Sequence, residues 1–405
     1  MSRLSLSKVK IISSNAFYQC STLQEINFPE VKTIHPYAFG YCKNLSSIYL
    51  PQATEIQYYA FTRNSVLTEL NLPNVEIIGS YAFSECWSLT EINLPKVSSI
   101  GYQAFMSCSS LTSVNLPSIQ HIGTYAFSGC SSISEVYLSL QGDKCDINSN
   151  TFWSCTNLKE ITLNFTNGIF PSTFYDTQQF QGCYSIENIN IIGSSIGASN
   201  GYNLLSRLLY GASAENLYAN DLTQDFQTYW MCYNFSVKNI EMNNITSLAN
   251  YACSNNTSLE RIKLKKTKFL GIAAFYNCNK LPYIEFPNLA SFGTWINYGT
   301  SYVSSTFMNC NKLSIMVLGA SSKVNVPVGY YGYFWNSALA NTPFLSSVYL
   351  GYYGSFYVPA SLLATYLTDP IWGQYPSRFT TIEDNLSMLQ ALGLCSNYGT
   401  SSYWE

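Results

Sequence analysis

From Leu89 to Cys108 the chain reads LTEINLPKVSSIGYQAFMSC, and nearly the same string returns along most of its 405 residues. The consensus is L-x-x-I-x-L-P-x-V-x-x-I-x-x-x-A-F-x-x-C. The isoleucine of L-x-x-I-x-L marks each copy. Leu4, Ile26, Ile48, Leu70, Ile92, Val114 and Val136 follow one another at a constant 22 residues. Later copies, marked by Ile161, Ile189, Leu217, Ile240, Ile262, Ile284, Met316 and Val348, come at steps of 25, 28, 28, 23, 22, 22, 32 and 32. That makes fifteen candidate units, of which the one around Leu217 matches poorly. A fixed period in this range specifies a solenoid, because one unit cannot bury its own apolar side chains and stacked neighbours can.

The pattern within one unit sets the shape of a coil. Ile92 and Leu94 alternate with Glu91 and Asn93, so the apolar pair is expected inward and the polar pair outward on a short strand. Proline follows the strand at 29, 51, 73, 95, 117 and 287, where its missing N–H ends the ladder and turns the chain. Val97, Ile100, Ala104 and Phe105 then return apolar groups to the interior.

The L-x-x-I-x-L-P…I-x-x-x-A-F-x-x-C string resembles the BspA-like subclass of leucine-rich repeats. The resemblance covers roughly residues 1–360 and is most specific over 1–136, where many positions match in register many times. It implies an α/β-type repeat solenoid, a right-handed superhelix with a parallel β-ladder on one face and irregular or short helical turns on the other. It divides the chain into a solenoid over 1–359, irregular at 139–235 and 290–345, and a C-terminal cap and tail over 360–405. Members are typically found on bacterial and some protist surfaces, where they bind host proteins or other cells. An extracellular or cell-surface location and a protein or glycan partner on a host or neighbouring cell are therefore what the resemblance implies.

Composition narrows the partners. Charged residues make up only 11% of the chain and the net charge is −3, too little to argue for nucleic acid or a membrane surface. No apolar run has the length of a membrane span. Fifteen coils at strand spacing would extend roughly 70 Å. The first repeat opens at residue 1, with neither a charged stretch leading into an apolar one nor a polar cap. Removal of a leader and cap is expected. The alternative is that the uncapped first coil packs on something, a candidate self-association surface.

Stacking identical coils lines like positions into columns. One outward column runs Glu25, Ser47, Glu69, Glu91, Ser113, Glu135 and Glu160, and its neighbour Asn27, Tyr49, Asn71, Asn93, Asn115 and Tyr137. Carboxylates, amides and phenols on one face make Tyr49, Glu69, Asn71, Glu91, Asn93, Asn115, Glu135 and Tyr137 candidate binding residues. A solvated sheet face is the other reading. Tyr37, Tyr59, Tyr81 and Tyr125 form a further column, expected to cover the convex side. Ten of the 13 cysteines sit three residues after the Phe position, with Asn64 and Asn256 in the same slot. An Asn in place of Cys suggests a slot for a small group that meets backbone, so buried free thiols are expected. No C-x-x-C occurs and steps of 22 do not gather four ligands, so neither a metal nor another cofactor is expected. Cys145, Cys253 and Cys395 fall outside the column.

The rest is less regular. Leu204, Leu205, Leu208 and Leu209 have helical spacing and predict a short helix among Gly- and Ser-rich loops. The one basic cluster carries Arg261, Lys263, Lys265, Lys266 and Lys268; it is either a receiver for an anionic glycan or acidic partner, or a solvated edge. The 32-residue steps hold aromatic loops with Trp295, Tyr331 and Trp335, which are either contact residues or folded back on the solenoid. Near the end, Tyr357, Val358 and Pro359 read as the final edge strand, with a helix from Pro359 to about Leu367. Trp372, Tyr375 and Phe379 are expected to cover the open end, and a helix is expected over Leu386–Leu392 in a tail of unassigned role.

Catalysis needs convergent groups. The two histidines, His35 and His121, are four coils apart, about 19 Å at strand spacing, and read as ordinary loop residues. No nucleophile elbow, P-loop, dinucleotide Gly motif or H-E-x-x-H occurs. The Glu column offers carboxylates near 5 Å apart, a glycosidase-like spacing, yet on an open sheet nothing raises one pKa selectively. The expected function is a non-enzymatic binding or adhesion module. The alternative is an assembly component of a surface layer or appendage with no small ligand.

Overall fold

A computed structural model describes residues 2–140, 146–165, 178–193, 209–223, 232, 235–292, 306–325, 339, 342–344 and 355–403. The described residues form a parallel β-solenoid of about 13 turns with few helices. It divides into two compact units, Met1–Ser199 with Arg207–Ala214, and Asn200–Ser206 with Glu215–Glu405.

In the first unit the coils bond to their neighbours on up to three sides. The L-x-x-I-x-L segments form short parallel strands such as Glu25–Asn27, Ser47–Tyr49, Glu69–Asn71 and Glu91–Asn93. Their register places Glu69 against Glu91 and Asn71 against Asn93. Leu70, Val114 and Val136 point inward and are buried, while Ile92 stays partly exposed. The V-x-x-I segments form a second parallel ladder, which sequence reasoning expected only as irregular or helical turn. It runs unbroken through seven two-residue strands from Ile11–Ile12 to Asp146–Ile147. His121 belongs to this ladder, so it is not a loop residue, and its Nδ1 lies 2.6 Å from Asp146 Oδ1 in the next strand. Glycine in the slot after Ile100 lets coils approach: a Cβ on Gly101 would stand 2.5 Å from the Ser80 nitrogen.

The third side is a stack of turns. Phe39, Phe61, Phe83 and Phe105 each donate a backbone N–H to the residue before the next coil's Phe, at 2.8 Å. Two residues per coil take the left-handed conformation, for example Tyr37 and Tyr41 (φ 57° and 62°). The roughly 1–2 kcal/mol that this costs a non-glycine residue is offset by the inter-coil bonds it aims. Inside, the phenylalanines stack ring on ring, with Phe61–Phe83 and Phe83–Phe105 centroids both 5.3 Å apart and all three rings buried. Outside them, Tyr37–Tyr59 and Tyr59–Tyr81 stack at 4.7 and 4.4 Å.

The cysteine column behaves as the Asn substitutions suggested. The described cysteines are free, and all except Cys20 are buried. Cys42, Cys86, Cys108 and Cys130 donate to the Phe-position carbonyl of the preceding coil at 3.1–3.3 Å. Cys253 occupies a Phe position, with its Sγ 3.9 Å from that of Cys232. Cys145 lies outside the described residues.

The second unit pairs Ser236–Glu241 with Arg261–Lys263 in parallel. It also pairs Tyr283–Phe286 with Ile315–Leu318, and that strand with Ser355–Val358. The last of these is not the edge: Phe379–Thr381 adds beyond it, pairing Phe356 with Phe379. The poorly matching unit around Leu217 still forms a strand, Ser213–Tyr218, with Leu217 buried. Helix α1, Ala360–Thr368, starts after Pro359 as expected. Tyr366 and Trp372 are buried and hold Val324, whose N–H donates to the Tyr366 hydroxyl and whose carbonyl accepts from Trp372 Nε1, both at 2.9 Å. Tyr375 is 37% exposed and covers less than expected. Helix α2, Ile382–Ala391, begins four residues before the expected Leu386. Thr381 caps it by accepting the Asp384 N–H at 3.2 Å, and Glu383 and Asp384 suit the positive helix end. The helix expected at 204–209 lies outside the described residues, apart from Leu209.

Candidate functional site

On the first unit, the pleat of each short strand turns the predicted residues outward. Tyr49, Glu69, Asn71, Glu91, Asn93, Asn115 and Glu135 are exposed, and Tyr137 is half-buried. Hydrogen bonds between coils fix some of them. Asn93 Nδ2 donates to Asn71 Oδ1 at 3.0 Å, continuing the amide column, and Asn164 Nδ2 donates to the Tyr137 hydroxyl at 2.8 Å. Glu25 pairs with Arg3 at 2.9 Å, and Glu160 accepts from Asn188. Among the described residues Glu69, Glu91 and Glu135 have no ion pair, so their carboxylates face water ready to accept. The face therefore presents a stripe of acceptors beside a stripe of amides that both donate and accept, with phenols at Tyr49 and Tyr137.

On the second unit the same outward columns change character. The two positions flanking the inward Ile284, Met316 and Phe356 are Tyr283 and Glu285, Ile315 and Val317, Ser355 and Tyr357. The chain's own tail covers them. Ile382, Leu389, Leu394, Cys395 and Tyr403 pack with Val317 and Tyr357 in one buried cluster, with Tyr283, Ile315 and Leu386 at its margin. Glu285 is enclosed there and accepts the Cys395 N–H at 2.9 Å. Burial pushes its carboxyl up from the ordinary value, against the bonds from Tyr403 and Cys395. The role of the tail was missed, although the switch from Glu and Asn to Ile315, Val317 and Tyr357 in outward columns was a visible signal.

The basic run lies at the margin of that cover. Arg261 Nη2 donates to the Gly393 carbonyl at 3.3 Å, and Lys263 Nζ pairs with Glu241 at 2.9 Å. Two of the five cations are thus partly engaged by the chain itself. Trp295, Tyr331 and Trp335 lie outside the described residues. The described residues hold no group of His, Cys, Asp and Glu arranged to take a metal ion. No described helix is long and apolar enough to cross a membrane.

Comparison with known proteins bears on this geometry. The family model for the BspA type leucine rich repeat region (6 copies) matches residues 2–96, 76–203, 176–313 and 225–357. Solved structures similar to the chain include a leucine-rich repeat protein from Bacteroides ovatus (20% identity, 94% of this chain and 91% of that one, TM-score 0.44). A leucine rich cell surface protein from Faecalibacterium prausnitzii is also similar (19% identity, 84% and 91%, TM-score 0.33). So is a leucine rich repeat protein from T. pallidum (24% identity, 46% and 78%, TM-score 0.32). No curated protein matches the chain in sequence. Leucine-rich repeat solenoids are typically non-catalytic frames that present surfaces to other proteins. With the family model spanning nearly the whole repeat region, the chain belongs to the BspA-type leucine-rich repeat proteins.

Proposed function

We propose that the chain is a non-enzymatic binding or adhesion module at the cell surface, recognising a protein or glycan through the strand face of its first unit. Trp295, Tyr331 and Trp335 are proposed as further contacts. One observation carries the reading: the outward columns from Glu69 to Glu135 are exposed, with Glu69 paired in register to Glu91 and Ser113 to Glu135, while the equivalent columns of the last coils are sealed by the chain's own tail. A face with regularly spaced acceptors and amides suits a partner rich in donors, such as hydroxyls or basic side chains. Tyr49 and Tyr137 supply rigid contact area with a polar tip.

The test is a screen of the chain against host matrix proteins and a glycan array. Saturable binding that weakens at least tenfold in the Tyr49→Ala/Tyr137→Ala double variant supports the proposal. Absence of any saturable partner, or a double variant that binds as well as the parent, defeats it.

A further inference from the structure

In the second unit a cavity of about 250 Å³ opens where the strand face meets the end of the tail cover. Arg261 and Tyr283 line it from the strands, Asn243 and Lys265 from the turns that follow two strands, and Leu394 and Ser396 from the tail. Its size is below the usual range for drug-sized ligands, so it has room for one small unit.

The polar groups around the cavity do not balance. Glu241 is spent: it accepts from Lys263, Asn220 and Asn243 at 2.9–3.1 Å. Glu285 is engaged by the Cys395 N–H. Arg261 gives one bond to the Gly393 carbonyl, and its other donors have no acceptor among the described residues. Lys265 is exposed and has no ion pair among the described residues, and its charge acts on the Glu285 carboxyl across the cavity. The Asn243 amide is fixed in orientation, since its Nδ2 must point at the Glu241 carboxylate, which only accepts. Its Oδ1 is left buried with no partner among the described residues. The site therefore holds unspent cationic donors from Arg261 and Lys265, one orphaned neutral acceptor, and an apolar wall from Tyr283 and Leu394.

A complementary ligand carries a carboxylate for the two cations, a hydroxyl or N–H donor for Asn243 Oδ1, and an aliphatic face for the Tyr283 side. Hydrogenphosphate can bring an O–H donor, but it has no aliphatic face for the Tyr283 side. A zwitterionic amino acid can bring an N–H donor, but its ammonium adds a third positive charge beside Arg261 and Lys265 with both carboxylates already taken. We infer that this cavity binds a single acidic sugar residue, its carboxylate on Arg261 and Lys265 and a ring hydroxyl on Asn243. The site is separate from the open columns of the first unit and stands or falls independently of them.

The probe is methyl β-D-glucuronide, followed by saturation-transfer NMR and calorimetric titration on the full chain. Methyl β-D-glucoside, acetyl-Ala-Ala with a free carboxylate, and inorganic phosphate are run beside it. Saturable glucuronide binding is expected, with at least a tenfold loss in Arg261→Gln, a several-fold loss in Lys265→Gln and in Asn243→Ala, and none in Lys96→Gln. Thermal melts check each variant, and the exposed Lys265→Gln keeps the test valid if Arg261→Gln fails to fold. Equal binding of the neutral glucoside, binding of the dipeptide or phosphate without the glucuronide, or no binding of any probe at millimolar concentration overturns the inference. Loss of matrix-protein binding in the Tyr49→Ala/Tyr137→Ala variant with intact glucuronide binding would separate the two sites.

Discussion

The thiol of Cys108 donates to the backbone carbonyl of Phe83, 25 residues back and one coil away, at 3.2 Å. Repeated from Cys42 to Cys183, the bond gives the column its chemistry. The thiols are neutral donors in an apolar interior, and burial pushes Cys42 and Cys183 up to about 12 and Cys86, Cys108 and Cys155 well above the usual thiol value. A thiol whose pKa is higher folded than unfolded contributes stability that is complete below pH about 9 and is lost as pH climbs towards 12. Native protein at pH 8 should therefore react with a thiol reagent at these positions orders of magnitude more slowly than the urea-unfolded chain. Mass-spectrometric mapping of labelled cysteines checks this. Labelling of Cys108 at the rate of an exposed thiol would contradict it.

Inside and outside positions of one coil should differ sharply in cost. Phe83 is fully buried between two stacked rings, so Phe83→Ala should lose about 3–5 kcal/mol. Glu91 is exposed and has no ion pair among the described residues, so Glu91→Ala should fall within about 0.5 kcal/mol of the parent. Urea denaturation of both variants decides the matter, and the reverse ranking would mean that the inward and outward columns have been exchanged.

Much of this was legible because a solenoid turns sequence spacing into contact. The period alone places Leu70 beside Ile92 and Asn71 beside Asn93, as the strand register has them. The same rule makes residues 22 apart into ion pairs: Arg3 with Glu25, Arg63 with Glu85, Glu241 with Lys263. What escaped was of two kinds. The second ladder needs only two residues per strand, too short for alternation to show, and depends on the backbone register of the coils on each side. The position of the tail depends on Leu389 and Tyr403 meeting Val317 and Tyr357, contacts between segments tens of residues apart that share no period.

The tail cover makes a prediction through Glu285. Its carboxyl is held protonated more readily in the folded chain than in the unfolded one. A raised carboxylate contributes stability below its unfolded pKa, near 4.5, and loses it as pH rises through the folded value. Gln keeps the volume and an oxygen for the Cys395 N–H without the buried charge. Glu285→Gln should therefore melt higher than the parent at pH 7, and the gap should close near pH 4. Calorimetric scans at the two pH values test it; a variant that melts lower at pH 7 would show that the charge itself holds the tail down.

The cysteine column also contains a fault that can be repaired. Asn64 stands in the Cys slot, fully buried, with neither Nδ2 nor Oδ1 hydrogen-bonded among the described residues. Asn256, in the same slot of another coil, reaches the Val237 carbonyl at 3.1 Å, so an amide is tolerated there when it finds backbone. The carbonyl that a thiol at position 64 would meet is that of Phe39, by the spacing of Cys86 to Phe61. Asn64→Cys removes two orphaned polar atoms and restores the column. The penalty for one buried unsatisfied group is about 1–3 kcal/mol, so the variant should be stabilised by about that amount. Asn256→Cys should gain little or lose, since it gives up a bond already made. The comparison is read from urea midpoints at constant slope. Equal shifts for the two variants would mean that thiol packing, and not relief of the orphaned amide, sets the stability of the slot.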